Sequence, residues 1–447
     1  MGVKVAKFGG SSVADAIQIE KLKNIVEADP ERRYVVVSAP GKRFDGDNKI
    51  TDLLYLCKAQ IDHNAPYGQV FQVIWDRFVA MEISLKVDVG MGALLEEIRE
   101  RLGENPSADY IASRGEYLSA ALIAAYLGYD FVDAAGLVRF DKKGKFLNEE
   151  SLAALAEELG KHERAVVPGF YGTYPDGKIK TFSRGGSDIT GAIVANAVKA
   201  DVYENWTDVS GFLMADPRIV KNPKAISRIS YLELRELSYM GASVLHENAI
   251  YPARQANIPI NIRNTNEPDD PGTIIEADAI ERGEGAPVIT GIAGNKDFSV
   301  IAIYKNSMST EVGFIRRILS VFENYNIPIE HIPSGVDTVS VVLSKKYLED
   351  HVSDILDEIE RKAQPDSVEV FDDMALIATV GSGMAARPGV AALLFRALYR
   401  AGVNIRMIDQ GSSEMNIIIG VENKDFETAI KAIYAAFVEP GESMGSI

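Results

Sequence analysis

The stretch VKVAKFGGSS, residues Val3–Ser12, decides the fold. Val3–Phe8 is short, mostly small and apolar, and reads as a strand, which Gly9 and Gly10 break. Ser11 or Ser12 is placed to cap a helix whose apolar residues Val13, Ile17, Leu22, Ile25 and Val26 recur at roughly helical spacing. A strand that ends in a diglycine turn and opens onto a helix N-terminus offers unpaired N–H groups and a partial positive charge, which suits phosphate. Glycines carry no Cβ, so the backbone can approach a ligand closely. Lys7, just before the turn, would aim its ammonium at the same place. The plain alternative is an ordinary βα loop with a solvated lysine. The spacing is neither a Walker loop nor the dinucleotide fingerprint.

The chain has 447 residues, enough for two to four domains with ample cores. Its 47% hydrophobic and 25% charged residues are those of a soluble globular protein. The net charge of −17 argues against nucleic acid or an anionic membrane as main partner, because both require clustered Lys and Arg. Cys57, the single cysteine, reads as a buried helix residue in LLYLCKA. No disulfide within the chain is possible, which fits a reducing, cytoplasmic compartment. The N-terminus runs straight into a strand, so no secretory signal is expected, and no apolar run reaches the length of a membrane span. The five histidines are scattered, without CxxC or HExxH, so no protein-built zinc site is predicted.

Downstream, Tyr34–Ser38 (YVVVS) reads as a buried parallel strand and APGKRFDGDNK as a polar loop. Thr51–Gln60 reads as a helix capped by Thr51, and residues 64–105 as helices without a chemical motif. Ala112–Leu127 reads as a loop followed by an apolar helix, and Tyr129–Asp133 and Ala165–Phe170 as strands. Phe182–Ala200 (FSRGGSDITGAIVANAVKA) repeats the opening theme, with a diglycine at Gly185–Gly186, a capping Ser187 or Asp188, and a helix. Two anion-binding corners in one domain point to a ligand with several negative groups. Val202–Asp208 reads as a strand leading into VSGFLMADPR. Tyr231–Leu237 and Gly241–Ala256 read as helices, and Ile258–Arg263 as the last strand. Alternating strands and helices over residues 1–265 predict an α/β fold, a three-layer αβα domain on a mostly parallel sheet. The acidic, Pro- and Gly-rich stretch Asn264–Gly285 reads as a linker.

Beyond it lies an internal repeat. A gapless shift of 76 residues sets Met308 on Met384, Gly313 on Gly389, Ile327 on Val403, Gly335 on Gly411, and VSVVL (339–343) on MNIII (415–419). Each copy reads strand, glycine loop, amphipathic helix (312–324 and 388–401), strand, turn, strand. That is half or more of a ferredoxin-like βαββαβ unit, twice.

Together these motifs resemble those of the aspartate kinases (aspartokinases) of the amino-acid kinase family. The resemblance spans nearly the whole chain: KFGGSSV, VVSAPG with TDLL, SRGEYLSA, FSRGGSDITGA, WTDVSGFLMADPR, MGASVLHENAI, and a tail like paired ACT domains ending in QGSSEMNI. It implies a kinase domain over 1–280, an effector-binding ACT domain over 298–370, and a second ACT domain over 371–447 completed by 286–297. It implies transfer of the γ-phosphoryl of ATP to the side-chain carboxylate of L-aspartate, giving 4-phospho-L-aspartate and ADP on the route to lysine, threonine and methionine. Mg2+ is implied by ATP chemistry, with no protein ligand named.

Such chemistry needs charge neutralisation and in-line positioning rather than a general base, because the nucleophilic carboxylate is already ionised at neutral pH. The resemblance assigns Lys7 and the N–H groups of Gly9, Gly10 and Ser11 to the phosphates of ATP. It assigns the planar fork of Arg184 to the α-carboxylate, Glu116 and Asp188 to the ammonium, and Ser38 and Thr51 to substrate oxygens. Lys7, Arg184 and Asp188 form the expected catalytic set. The plain readings are helix capping for Glu116 and Asp188, and a backbone-satisfied hydroxyl for Ser38. Further nucleotide contacts are expected from Thr207, Asp208, Leu213, Asp216, Arg218 and Ser243; the plain reading of DPR is an Asp–Pro turn with a solvated arginine. Leu213 stands where many relatives carry tyrosine, Ser243 where they carry lysine, and Glu247 where proline is common.

In the tail, the resemblance makes Met308, Ser309, Gly313, Phe314, Val336, Asp337 and Thr338 candidates to bind an inhibitory lysine or threonine; the plain reading of Asp337 is turn capping. It also implies a dimer or tetramer formed through the ACT domains, and no fused homoserine dehydrogenase. Two other readings stand beside it. A related kinase acting on glutamate, carbamate or a nucleotide is opposed by SRGEYLS and QGSSEMN. A catalytically dead amino-acid sensor is opposed by Lys7, Arg184 and Asp188.

Overall fold

In chain order the elements are β1 (Lys4–Phe8), α1 (Ala16–Glu27), β2 (Arg32–Val37), α2 (Ile50–Asp62), α3 (Gly68–Leu85), α4 (Met91–Leu102), α5 (Ala108–Leu127), β3 (Asp130–Phe131), α6 (Asn148–Leu159), β4 (Ala165–Pro168), β5 (Tyr171–Thr173), β6 (Ile179–Thr181), α7 (Gly186–Ala197), β7 (Val202–Thr207), β8 (Phe212–Leu213), β9 (Ala225–Ile226), β10 (Arg228–Ser230), α8 (Tyr231–Tyr239), α9 (Glu247–Gln255), β11 (Ile260–Asn264) and β12 (Thr273–Glu276). The tail adds β13 (Gly291–Tyr304), α10 (Phe314–Asn324), β14 (Thr338–Ser344), α11 (Val352–Ala363), β15 (Ser367–Val380), α12 (Val390–Arg400), β16 (Met407–Asp409), β17 (Asn416–Glu422) and α13 (Phe426–Val438). This computed structural model describes residues 2–183, 185–241, 247–277, 287–349 and 351–439, without the side chains of 247 and 248. They form two compact units: Met1–Phe212 with Ala225–Tyr231 and Val244–Ile280, and Leu213–Lys224 with Leu232–Ser243 and Glu281–Ile447.

The first unit is built on an eight-stranded sheet of order β10-β12-β11-β7-β1-β2-β4-β3. Its pairings are parallel except β11 with β12. β1 lies inside it, with Phe8 opposite Val37 on one side and Trp206 on the other. Side chains alternate across the sheet. Ala6, Phe8, Val35, Val37 and Trp206 therefore join the core of α1–α5, with Ile19, Leu22, Leu54, Phe78 and Leu118. Lys7 and Asn205, one residue earlier on their strands, face α7. Burying each Leu- or Phe-sized side chain contributes about 1.5–3 kcal/mol, so this core fixes where the C-terminal ends of β1, β2 and β7 come together.

Several expected boundaries shift. The diglycine opens first onto a 3-10 turn, Gly10–Val13, and α1 is capped by Asp15, whose carboxylate accepts the Gln18 N–H, rather than by Ser11 or Ser12. The cap position of α2 is Lys49, so Thr51 lies inside the first turn and caps nothing. α7 is entered through Gly185 at φ 58°, and neither Ser187 nor Asp188 caps it by a side-chain bond. The left-handed conformation at Gly185 is one that only glycine adopts cheaply, and it leaves Asp188 free for other partners. SRGE is helical throughout, within α5, because Ser107 caps that helix well upstream. The stretch read as a linker contains β12, which pairs with β10 and β11.

In the second unit both sequence repeats share one antiparallel five-stranded sheet, β14-β13-β15-β17-β16. Phe298–Tyr304 of β13 pairs with β14, whereas Gly291–Asn295 pairs with Leu376–Val380. The ladder between β13 and β15 slips around Asn295–Val300, which separates the halves of both long strands. Gly313 and Gly389 enter α10 and α12 at φ 81° and 91°, and Met308 and Met384 are both buried. β16 supplies a short strand to the second repeat; the first has only the bridges His331–Val342 and Ser334–Val339 there. Among the described residues no helix is long and apolar enough to cross a membrane.

Candidate active site

Loops that follow parallel strands meet at the C-terminal edge of the sheet, the usual ligand side of an open α/β fold. Four such loops meet here. The Gly9 N–H, after β1, donates to the carbonyl of Trp206 at the end of β7 (2.9 Å). The Ser38 N–H, after β2, donates to the Phe8 carbonyl (3.1 Å), and the Gly169 N–H, after β4, donates to the Val37 carbonyl (3.0 Å). The Gly41 N–H donates to the Gly10 carbonyl (2.8 Å). A Cβ on Gly41 would lie 2.7 Å from the Gly10 carbonyl carbon and 2.9 Å from the Ser11 nitrogen, so glycine alone permits this approach.

Lys7 is buried, and its Nζ lies 2.5 Å from Asp188 Oδ1. Asn205 bridges the pair: its Nδ2 donates to Asp188 Oδ1 (2.9 Å) and its Oδ1 accepts from Lys7 Nζ (3.4 Å). A Cβ on Gly9 would sit 3.5 Å from Lys7 Nζ, so the ammonium lies directly beside the diglycine turn. The structure thus brings Lys7, Gly9 and Asp188 together. It adds Asn205, which in sequence is only an interior residue of a strand.

Glu116 approaches from α5. A Cβ on the preceding Gly115 would lie 2.7 Å from the Ala39 Cβ, so the helix runs hard against the loop after β2. The Glu116 carboxyl is fully enclosed and takes a hydrogen bond from the Ala39 N–H, yet its Oε2 has no protein partner. Burial pushes its pKa up to about 8, opposed by that hydrogen bond and by Arg114. A buried carboxyl oxygen with no donor is costly in the free protein and is ready to receive an ammonium. Ser38 and Thr51 are both half-buried, Ser38 beside Ala39 and Thr51 beside Ile50, which also touches the Gly115 position.

Arg77, in the stretch read as lacking chemistry, ties the loops together. Its guanidinium donates to the carbonyls of Asn48 (3.0 Å), Ala14 (2.8 Å) and Gly41. An arginine in an amphipathic helix carries no sequence sign of that work; only its burial shows it. Arg184 and Ser243 lie outside the described residues.

Thr207 is half-buried, and its hydroxyl donates to the carboxylate of exposed Asp208 (3.1 Å). In the second unit Leu213 is exposed, and Arg218 forms a two-pronged pair with Asp216 (3.0 and 2.6 Å), as in the plain Asp–Pro-turn reading. In the first repeat Met308, Ser309, Gly313 and Phe314 line a cavity of about 220 Å³ with Ser334 and Gly335. Val336, Asp337 and Thr338 adjoin this cavity in sequence without lining it. Asp337 accepts the Ser307 N–H (2.8 Å), the turn-capping role.

Comparison with known proteins agrees with this architecture. The amino acid kinase family model matches residues 2–264, and an ACT domain model matches 377–437. Aspartokinase 3 of Bacillus subtilis is 38% identical, over 97% of this chain and 98% of its own. The crystal structure of Clostridium acetobutylicum aspartate kinase is 52% identical, with a TM-score of 0.91, covering 98% of this chain and all of that one. E. coli aspartokinase III, solved with aspartate and ADP, is 25% identical with a TM-score of 0.71, over 97% of this chain and 99% of that one. With kinase elements, ACT repeats and full-length relatives in agreement, this chain belongs to the aspartokinases of the amino acid kinase family.

Proposed function

We propose that this aspartate kinase passes the γ-phosphoryl of ATP to the β-carboxylate of L-aspartate. A carboxylate oxygen attacks the γ-phosphorus as the bond to the β-bridging oxygen breaks, giving 4-phospho-L-aspartate and ADP. The observation that carries this reading is the buried Lys7 ammonium beside the diglycine turn, held by Asp188 and Asn205. In that position it neutralises charge on the transferring group, which is most of what phosphoryl transfer asks of a protein. The N–H groups of Gly9, Gly10 and Ser11 serve the phosphates. Glu116 receives the substrate ammonium with its unpartnered oxygen, Asp188 assists, Ser38 and Thr51 hold substrate oxygens, and Arg184 takes the α-carboxylate. Thr207, Asp208, Leu213, Asp216, Arg218 and Ser243 serve the nucleotide. The complex of E. coli aspartokinase III with aspartate and ADP supports the substrate pair.

Among the described residues, no three His, Cys, Asp or Glu side chains lie together as a metal site. Mg2+ is proposed to enter with ATP, held mainly by phosphate oxygens and water, and no protein ligand is named for it.

The proposed domains are 1–280 for the kinase, 298–370 for the effector-binding ACT unit, and 371–447 with 286–297 for the second. The first ACT cavity is the proposed site for lysine or threonine as feedback inhibitor of a pathway toward those amino acids. The E. coli aspartokinase III complex with lysine and aspartate, a T-state, supports lysine as the effector. Inhibition then works by favouring a kinase-incompetent population. A dimer or tetramer and a cytoplasmic location complete the proposal; the free, buried Cys57 supports a reducing compartment. The test is ATP-dependent formation of aspartyl hydroxamate, with and without lysine and threonine. An aspartate-dependent product and a rate lowered by either amino acid are expected. Equal activity on glutamate overturns the substrate assignment, and indifference to both effectors overturns the regulatory one.

A further inference from the structure

A cavity of the first unit lies on the other face of the sheet from Lys7. It measures about 520 Å³, and its walls include Lys21 and Asn24 of α1, Trp206, Arg263 and Thr265. Since Phe8 and Trp206 follow Lys7 and Asn205 on their strands, the alternation of β1 and β7 sends them away from α7 and toward this cavity.

Two guanidiniums crowd the indole behind the wall, and they are unequally partnered. Arg32 and Arg263 both stand over the Trp206 ring, at 5.2 and 4.6 Å from its centroid. Among the described residues Glu204 is the carboxylate within ion-pair distance of both, while Asp270 and Asp269 attract Arg263 from farther off. Glu204 binds Arg32 at 2.7 and 3.1 Å and also accepts the Trp206 indole N–H (2.9 Å), while Arg263 reaches it only at 3.9 Å. The remaining bonds of Arg263 go to the carbonyls of Pro268 and Asp270, and its Nε is buried with no partner. Of the other ionisable groups in the wall, Asp29 is bound to Lys4 (2.7 Å), Lys21 donates to Asn266 (2.7 Å), and Asp269 is exposed. A largely buried guanidinium with a spare, desolvated donor is a receptor for an oxyanion.

We propose that this cavity binds a small oxyanion, a carboxylate or a phosphate, on Arg263, with Lys21 as a second cation. The site also has a path to the phosphate loop. The Trp206 carbonyl holds the Gly9 N–H, and the Thr265 hydroxyl shares a 2.7 Å hydrogen bond with that of Ser12. An occupant that shifts the 263–269 segment or the indole therefore changes nucleotide affinity, and the nucleotide changes anion affinity by the same factor.

Trp206 is the reporter. The chain has two tryptophans, and Trp75→Phe leaves only the one in the wall. In that background the full chain, saturated with ADP to keep the Lys7 corner filled, is titrated separately with inorganic phosphate and with succinate. Saturable fluorescence change with either anion identifies the chemistry. It is expected to weaken by about tenfold or more in Arg263→Gln and about threefold in Lys21→Ala, a surface change that leaves folding intact. Lys7→Ala is expected to leave it unchanged. No saturable change with either anion, or a change lost in Lys7→Ala but kept in Lys21→Ala and Arg263→Gln, overturns the site. An ADP dissociation constant that stays the same with and without the bound anion overturns the coupling. None of these results depends on which acceptor is phosphorylated.

Discussion

Lys7 Nζ and Asp188 Oδ1 meet at 2.5 Å, though 181 positions separate them, because β1 and α7 pack face to face across one sheet. Each comes from a diglycine corner, and Asn205 touches both. If the ammonium neutralises the transferring phosphoryl, Lys7→Ala lowers kcat by about 10²–10³-fold, the usual cost of losing one preorganised donor. Asn205→Leu keeps both charges but releases their common tether, and is expected to lower kcat by roughly tenfold with little change in the KM for ATP. Steady-state kinetics with both substrates varied checks both changes.

Glu116 supplies a pH dependence of fixed sign. Its folded pKa is raised by burial from 4.5 to about 8, so the folded protein keeps a proton that the unfolded chain releases. Stability therefore falls as pH rises between those two values and levels off above about 8. Glu116→Gln removes the penalty, and its melting temperature relative to wild type is expected to climb from pH 5 to pH 8. Aspartate binding runs the other way. Its ammonium favours the ionised carboxylate, so the wild-type KM for aspartate drops toward pH 8, while the Gln variant keeps a high, flat KM. Melting and kinetics at several pH values test the two halves separately.

Gly41 faces Gly10 with no room for a methyl group. Gly41→Ala drives a Cβ into the backbone of the diglycine turn, and overpacking of that kind costs about 1–3 kcal/mol. The expected result is a lower melting temperature together with weaker ADP binding, read by calorimetry. An alanine at Gly92, within α4, where the nearest neighbour of a Cβ is the Trp75 ring at 3.9 Å, is the control and is expected to leave ADP binding unchanged without lowering the melting temperature.

Gly313 borders the small cavity of the first repeat at φ 81°. Gly313→Ala strains that left-handed entry to α10 by about 1–2 kcal/mol. Inhibition by lysine or threonine is expected to weaken at least severalfold while the uninhibited rate stays near wild type. Dose–response curves for each amino acid provide the check.

Patterns carried by hydrophobic period and by glycine were legible in the sequence: β1, β2, β7 and α7 all fall where the apolar runs put them, and the 76-residue repeat reappears as two helix pairs on one sheet. Caps were not legible. Ser11, Thr51 and Ser187 have the right chemistry, but Asp15, Lys49 and Gly185 hold those positions because the turn geometry was settled by packing around the loops. β12 was hidden in a Pro- and Gly-rich stretch, since a four-residue strand needs only Thr273–Glu276 to be apolar on one face. Asn205 and Arg77 act through long-range contacts with Asp188 and with the Gly41 loop, and no local pattern marks either.

The most direct test of the central claim compares ATP-dependent aspartyl hydroxamate formation by the wild type and by Lys7→Ala, with glutamate as the rival acceptor. The account predicts a product with aspartate, little with glutamate, and a rate about a hundredfold or more lower in the variant at saturating substrates. A Lys7→Ala enzyme that turns over at the wild-type rate would contradict it.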